Sequence, residues 1–236
     1  MGTTLELPQF KAVFSKGEGN FPLVLVAGGR QPEPWWFQDL CQSRRVWAID
    51  SGIDLCRKNF VLPDLFIGDR DSASAEGILW AESKKIESMT FPPEKNLTDL
   101  QIALREKGLR WPGTPAILTA GFGGRFDHLF SNIFSLIWGG EEWRSFTRCI
   151  ADDKEALLLL RGGEDVVVSG LETGTLISLL ALSDRCLGVC LEGTRWPLEE
   201  AVILKNRPYA VSNYSVTGNL RLGIDEGWIG LYVRKP

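Results

Sequence analysis

The sequence predicts an α/β protein: a mostly parallel sheet flanked by helices in a Rossmann-like arrangement, followed by a smaller antiparallel β-sandwich. Two observations predict it. From residue 23 to about 150, short apolar runs alternate with helical patterns, as in strand and helix units feeding one parallel sheet. After "LLLLRGGED" the texture changes to short β-rich runs cut by turn signals at "LETG", "SDR", "EGT", "KNRP", "TGN" and "DEG", spaced by about ten residues, as in a small sandwich. The expected boundary falls after residue 161, giving an α/β domain over 1–161 and a β-sandwich over 162–236.

Each element has a local cause. "LVLVA" (23–27), "RVWAI" (45–49), "LFIG" (65–68), "AILTA" (116–120) and "RCIA" (148–151) are apolar runs of strand length, and "IESMTF" (86–91) is a weaker one. Helical stretches intervene. A Thr98…Gln101 capping box opens a helix that carries Leu100, Ala103 and Leu104 on one face and is expected to end at Lys107, ahead of Gly108. A further helix follows Asp127, with Phe130, Ile133 and Ile137 at helical spacing. The first twenty residues are expected to form an extension or edge element.

Composition narrows the partners. The chain has 236 residues, 44% hydrophobic and 24% charged, which supplies a buried core and excludes disorder. With 26 basic and 30 acidic residues the net charge is −4, and no basic stripe stands out, so nucleic acid is not the expected partner. No apolar stretch reaches the roughly 18 residues of a membrane span and no signal-peptide pattern is present, so the expected location is cytoplasmic. The five cysteines are scattered without CxxC pairs, which argues for small apolar residues over a disulfide framework or zinc site. His128 is the only histidine, which excludes mechanisms needing two; beside a helix start it is expected to be a hydrogen-bonded structural residue.

Ligands of parallel α/β sheets collect at the carboxyl ends of the strands. Here each strand is followed by a polar cluster: Gly28-Gly29-Arg30, Asp50-Ser51-Gly52, Asp69-Arg70-Asp71-Ser72, Lys95 to Asp99, and "GFGGRFDH" (121–128). Convergence of carboxylates, glycines and cations on one edge points to a phosphorylated ligand with its metal. In "PDLFIGDRDS", residues two apart in extended chain face one side, so Asp69 and Asp71 address one point. Adjacent carboxylates repel unless a cation lies between them, and magnesium suits hard oxygen ligands. Asp99 is a third candidate ligand. The plainer reading of the acidic pair is a helix-capping turn, and that of Thr98-Asp99 is an N-cap with a dipole-complementing acid. Gly123 and Gly124 permit close backbone approach to phosphate, and Arg125, with Asp127 beside it, can clamp it.

Three segments carry a family resemblance. "PDLFIGDRDS", "NLTDLQIAL" and "GFGGRFDHLFSNI" occur in an order and with spacings that resemble the thiamine pyrophosphokinase family, with "GTRWPL" (193–198) and "VSNY" (211–214) as shorter matches. The resemblance covers nearly the whole chain. It implies transfer of a diphosphoryl group from ATP to thiamine, giving thiamine diphosphate and AMP, by a homodimer whose site joins the α/β domain of one subunit to the β domain of the other. It further implies Asp69, Asp71 and Asp99 around Mg²⁺; in the transfer itself Asp71 is expected to orient or accept the hydroxyl proton and Arg125 to stabilise the leaving group. Gly28, Asp50, Lys95, Thr98, Gly123, Gly124, Arg125 and Asp127 are implied at ATP. Trp196 is implied to stack on a thiamine ring, while Ser212 and Asn213 hydrogen-bond the aminopyrimidine; the plainer reading of Trp196 is a core aromatic. "DSGID" departs from the family's Asp-Gly-Gly-Ala-Asn, with Ser51 and Asp54 replacing a glycine and an asparagine, and "PPEKN" lacks an aspartate often found there.

The rival readings are a related diphosphokinase acting on a hydroxymethylpterin, a glycosyltransferase using DxD with a nucleotide sugar, and a non-catalytic module that binds thiamine or nucleotide. The pterin enzyme would share the metal cluster and differ in the acceptor pocket.

Overall fold

The computed structural model describes residues 2–17, 19–68, 72–91 and 96–236, and the chain divides into two units, Phe21–Asp153 and Met1–Asn20 with Lys154–Pro236. The division differs from the expected boundary at residue 161 at both ends. β1 (Thr3–Leu7) and β2 (Phe10–Phe14) form an antiparallel hairpin, and β3 (Gly19–Asn20) pairs parallel with β1. Their alternating buried and exposed residues mark strands with one covered face.

The unit Phe21–Asp153 alternates strand and helix. In order it runs β4 (Leu23–Val26), α1 (Pro34–Cys41), β5 (Arg45–Ile49), α2 (Gly52–Lys58), β6 (Leu65–Gly68), α3 (Ala75–Ser83), β7 (Glu87–Thr90), α4 (Asp99–Arg110), β8 (Ala116–Thr119), α5 (Phe126–Trp143) and β9 (Thr147–Ala151). The strands lie in the order β9-β8-β4-β5-β6-β7, and every neighbouring pair is parallel. β4, β6 and β8 are buried at all their residues, which is why they read as unbroken apolar runs. Within this unit the chain starts at β4, builds outward to β7, and returns to β8 on the other side of β4. The order therefore reverses between β4 and β8, the place where open parallel sheets bind ligands.

The other unit continues with β10 (Glu155–Arg161), β11 (Glu164–Ser169), β12 (Leu176–Ala181), β13 (Arg185–Glu192), β14 (Leu198–Leu204), β15 (Asn213–Tyr214), β16 (Asn219–Ile224) and β17 (Trp228–Arg234). One sheet has the order β14-β13-β16-β11-β2-β1-β3, antiparallel except for its β1–β3 edge, and a second ladder joins β15, β12, β17 and β10. β2 pairs with β11 and β10 with β17, so residues 1–20 and 154–161 fold with the C-terminal strands. A mostly parallel description holds only for the ladders of Phe21–Asp153. The chain is a mixed α/β protein with a large antiparallel sheet.

α4 shows local and tertiary signals in competition. Thr98 Oγ1 accepts from Gln101 N, Thr98 N donates to Gln101 Oε1, and Gln101 Nε2 donates to Ser135 Oγ of α5 at 3.0 Å. The capping box thus starts the helix and ties it to its neighbour. The expected stop before Gly108 is overruled. A Cβ at Gly108 would lie 2.3 Å from Trp143 O, so the glycine is a packing contact inside the helix.

Candidate active site

The reversal between β4 and β8 is bridged by backbone hydrogen bonds. Ala27 N donates to Thr119 O, Gly29 N to Ala120 O at 2.7 Å, and Arg30 N to Phe122 O at 2.6 Å. At Gly28 a Cβ would lie 1.9 Å from Ser51 Oγ, so the bare backbone there is what admits serine at the head of α2. Gly28, Gly29, Gln31, Ser51, Asp54 and Ser74 line a cleft of about 520 Å³, a size typical of small-molecule sites.

Asp50 leaves β5 in the left-handed region, with φ 50°, a conformation that costs a non-glycine residue about 1 kcal/mol or more and recurs at functional sites. Its N–H donates to Ile67 O, and its Oδ1 lies 2.9 Å from where a Cβ on Gly68 would stand. A carboxylate is thereby set where the acidic segment after β6 begins. Asp69, Asp71 and Lys95 themselves lie outside the described residues. Asp99 is the first residue of α4 and is buried, while Thr98 is exposed with its oxygen committed to the cap.

The "DSGID" departure has a structural account. Asp54 Oδ2 accepts from Ser74 N at 2.9 Å and Oδ1 accepts from the Ser74 hydroxyl, whose oxygen accepts in turn from Gly77 N at 3.0 Å. Ser74 therefore offers Asp54 two donors, which an acceptor-only carboxylate matches and an amide does not. Asp54 joins α2 to the N-cap of α3, directly after the acidic segment.

After β8 the chain passes through Gly123 and Gly124, with φ 71° and 65°, into α5. Nothing lies within 4 Å of a hypothetical Cβ on Gly124, so the backbone there faces open space. Arg125 is the N-cap of α5 and supplies no side-chain cap, while the Asp127 carboxylate accepts from the His128 backbone N–H within the first turn. Its Nε and Nη2 donate to the Asp127 carboxylate at 3.1 and 2.5 Å, with both side chains well exposed. That hydrogen bond, then charge, raises the guanidinium pKa and lowers that of Asp127 below the ordinary carboxylate value. His128 is exposed on the first turn of α5.

In the other unit Trp196 is 52% exposed, so it is not the core aromatic of the plainer reading. Its ring centroid lies 6.3 Å from that of Tyr214, and the Arg195 guanidinium sits 4.9 Å from the Trp196 centroid. Asn213 is buried beneath them. Its Oδ1 accepts from Trp196 N and Tyr214 N at 3.1 and 2.9 Å, and its Nδ2 donates to Thr194 Oγ1 and Trp196 O at 3.1 and 2.7 Å. An amide has two acceptor and two donor positions, and all are used within the chain. Asn213 thus holds the Trp196 turn, in place of the ligand contact expected of it. Ser212 is exposed, with φ 60°, and its N–H donates to Ser178 Oγ.

The structure brings together Gly28 with Ser51, Asp50 with Gly68, Arg125 with Asp127, and Trp196 with Asn213; these groups fall in two units. It adds Gln31, Ser51, Asp54 and Ser74 at the cleft, Tyr214 and Arg195 at Trp196, and Asp152 after β9. "RCIADD" follows the same rule of polar residues after a strand, and would have exposed Asp152 had that strand end been read like the others.

Residues 37–145 match the family model described as the thiamin pyrophosphokinase catalytic domain. Among curated proteins none matches the sequence. Solved structures share the fold over nearly its whole length. The chain is similar to a thiamine pyrophosphokinase from Bacillus subtilis with TM-score 0.77 and 19% identity over 91% of this chain and 99% of that one. It resembles the thiamin pyrophosphokinase of Candida albicans with TM-score 0.78 and 14% identity over 92% and 90%. A thiamin pyrophosphokinase family protein from Enterococcus faecalis matches with TM-score 0.73 and 23% identity over 91% and 99%.

Proposed function

We infer that this chain, residues 37–145 of which match the thiamin pyrophosphokinase catalytic-domain model, is a thiamine diphosphokinase that converts ATP and thiamine to AMP and thiamine diphosphate. The observation that carries the reading is where the matched segment falls. It runs from α1 through α5 and contains the polar strand ends after β5, β6, β7 and β8.

Such transfer requires alignment and charge neutralisation more than covalent chemistry. Gly28 and Asp50 are assigned to the nucleotide, with Lys95 and Thr98, because the cleft opens beside Gly28 and Ser51. Gly123, Gly124 and the uncapped start of α5 are assigned to its phosphates. Arg125 carries N–H donors beyond the two that Asp127 takes, so it can grip a phosphate oxygen and neutralise the departing AMP while Asp127 keeps it oriented. Asp69, Asp71 and Asp99 are assigned as ligands of Mg²⁺, which when bound supplies charge neutralisation to the polyphosphate. The fit rests on donor chemistry: the Asp50 carboxylate already stands beside Gly68, where the acidic segment begins, and magnesium takes hard oxygens. Asp71 is assigned to orient or accept the thiamine hydroxyl proton. Trp196 stacks on a thiamine ring and Ser212 contacts the pyrimidine, while Asn213 fixes the shelf on which both stand.

The working form is assigned as a homodimer in which the α/β unit of one copy and the β unit of the other complete the site. Support comes from α5, where Phe126 and Phe130 are 78% and 55% exposed and continue through Phe134 with ring centroids 6.2 and 4.8 Å apart. Phe130, expected on the packed face with Ile137, lies outside it. An exposed aromatic ladder of this kind fits burial by another chain. No helix among the described residues is long and apolar enough to cross a membrane. All five cysteines are unpaired, which suits a reducing, cytoplasmic setting. The reading is tested by incubation with ATP, Mg²⁺ and thiamine. AMP and thiamine diphosphate should appear in equal amounts; ADP in place of AMP, or no thiamine diphosphate, overturns it.

A further inference from the structure

We propose that Arg30 is a positioning residue that, anchored on the buried carboxylate of Asp152, clamps the glycine-rich loop after β8 and so sets where Arg125 and the start of α5 meet the polyphosphate. The proposal deepens the diphosphokinase reading and rests on it for its kinetic readout.

Arg30 stands at the point where strand order reverses, and it touches the loop in several independent ways. Its N–H donates to Phe122 O at 2.6 Å, beside the Gly29 N to Ala120 O bond. Its guanidinium lies 5.9 Å from the Phe122 ring centroid, within cation–π range. Its Cβ fills the space that a side chain on Gly123 would need, 2.8 Å from a hypothetical Cβ there. Beyond the loop, Nε and Nη2 both donate to Asp152 Oδ2, at 2.8 and 2.5 Å. The Asp152 side chain is fully buried and that of Arg30 is 31% exposed, so the carboxylate is the fixed end of the pair. The neighbouring Asp153 accepts from Glu33 N at 3.1 Å, which fastens the far end of the same segment to the residues after β9.

The arrangement requires a guanidinium. Two nitrogens converge on one carboxylate while the planar group covers an aromatic ring, and an ammonium has neither the fork nor the flat face. A brace that served stability alone could sit anywhere. This one bears on the turn that leads through Gly123 and Gly124, both left-handed, to the open N-terminus of α5. Gly123 to Arg125, downstream of the clamp, are exposed, so their own side chains add little packing beside it.

The test compares the full-length protein with Arg30→Lys and Asp152→Asn, and uses Arg30→Ala for chemical rescue. Arg30→Lys keeps a cation beside Asp152, so its melting temperature should stay close to the parent's. Its KM for ATP should rise, or kcat/KM for ATP fall, by about tenfold or more, as a shift of phosphate contacts by an ångström produces, with KM for thiamine unchanged. Amide exchange over 120–125 should accelerate in both substituted proteins. Added guanidinium ion at low, non-denaturing concentration should restore part of the ATP dependence of Arg30→Ala. Unchanged ATP kinetics and unchanged exchange in Arg30→Lys would overturn the proposal, as would equal losses toward ATP and thiamine that track thermal stability. If the parent protein makes no thiamine diphosphate, the function reading fails by itself, and the exchange over 120–125 still decides the clamp.

Discussion

Asn213 illustrates how a residue type that signals ligand recognition in sequence can act one step away from the ligand. Each of its donor and acceptor positions is taken by Thr194, Trp196 or Tyr214, so under the proposed thiamine assignment its part is the placement of an exposed indole. Truncation has a definite consequence. Asn213→Ala removes the acceptor of the part-buried Trp196 and Tyr214 N–H groups, at up to about 1–3 kcal/mol for each group left unsatisfied. We expect a melting temperature lower by several degrees together with a higher KM for thiamine, while Trp196→Ala raises KM with no comparable loss of stability. A direct ligand contact would give the opposite signature for Asn213, a KM effect at unchanged melting temperature, and thermal scans beside thiamine titrations separate the two. Sequence reading found the Trp196 and Asn213 pair because both residues carry recognisable chemistry. It did not find their division of labour, since hydrogen-bond saturation depends on a turn at 194–196 closing over a strand seventeen positions later.

At the scale of elements, α4 separates what local signals decide from what packing decides. The capping box at Thr98 and Gln101 was legible because it needs only residues three apart. The helix end was not, because Gly108 and Lys107 answer to partners in α5 and before β8. Lys107 is fully buried, and its Nζ donates to Thr114 O at 2.5 Å. Burial pushes its amine down to about 7 from an ordinary value of 10.5. The unfolded chain keeps that proton up to its ordinary value, so between about pH 7 and pH 10.5 the unfolded state binds more protons than the folded one. Stability should therefore rise with pH across this window, by up to about 1.4 kcal/mol per unit from this group, and the cost of charging is fully present below it. Denaturant titrations of the parent and of Lys107→Met at pH 7 and near pH 10 check the sign: the parent should gain on the variant as pH rises. A difference that does not change with pH would show that Lys107 holds its proton in the fold, through a partner that offsets its burial.

For the whole molecule, the parallel ladders were readable because the central strands β4, β6 and β8 are buried throughout and each helix lies between two strands in sequence, whereas β7, largely exposed, gave the weaker signal. The membership of residues 1–20 was not, since Val13 meets Val167 and Phe14 meets Val166 across a separation that no local pattern encodes. The same limit applies to assembly, where the sequence offers apolar residues on α5 without saying which of them face outward. Phe126 and Phe130 do, and a homodimer that completes its sites across copies makes a quantitative claim. Asp71→Asn disables the α/β contribution and Trp196→Ala the β contribution, each leaving the other half intact. When the two proteins, both silent at thiamine well below the raised KM of Trp196→Ala, are mixed in equal amounts and allowed to exchange subunits, about half the dimers are hybrids, and each hybrid holds one site built only from unaltered halves and one doubly altered site. Activity should recover to about a quarter of the parent's, because half the dimers then have one working site of two. Sites contained within one copy would give no recovery, since every site would keep its own lesion. Phe130→Glu supplies the control on the interface itself: a charge on the exposed ladder should convert the light-scattering mass from dimer to monomer and abolish the recovery on mixing. A parent protein that is monomeric by the same measurement would refute the shared site directly, leaving the aromatic ladder of α5 to be explained by some other partner.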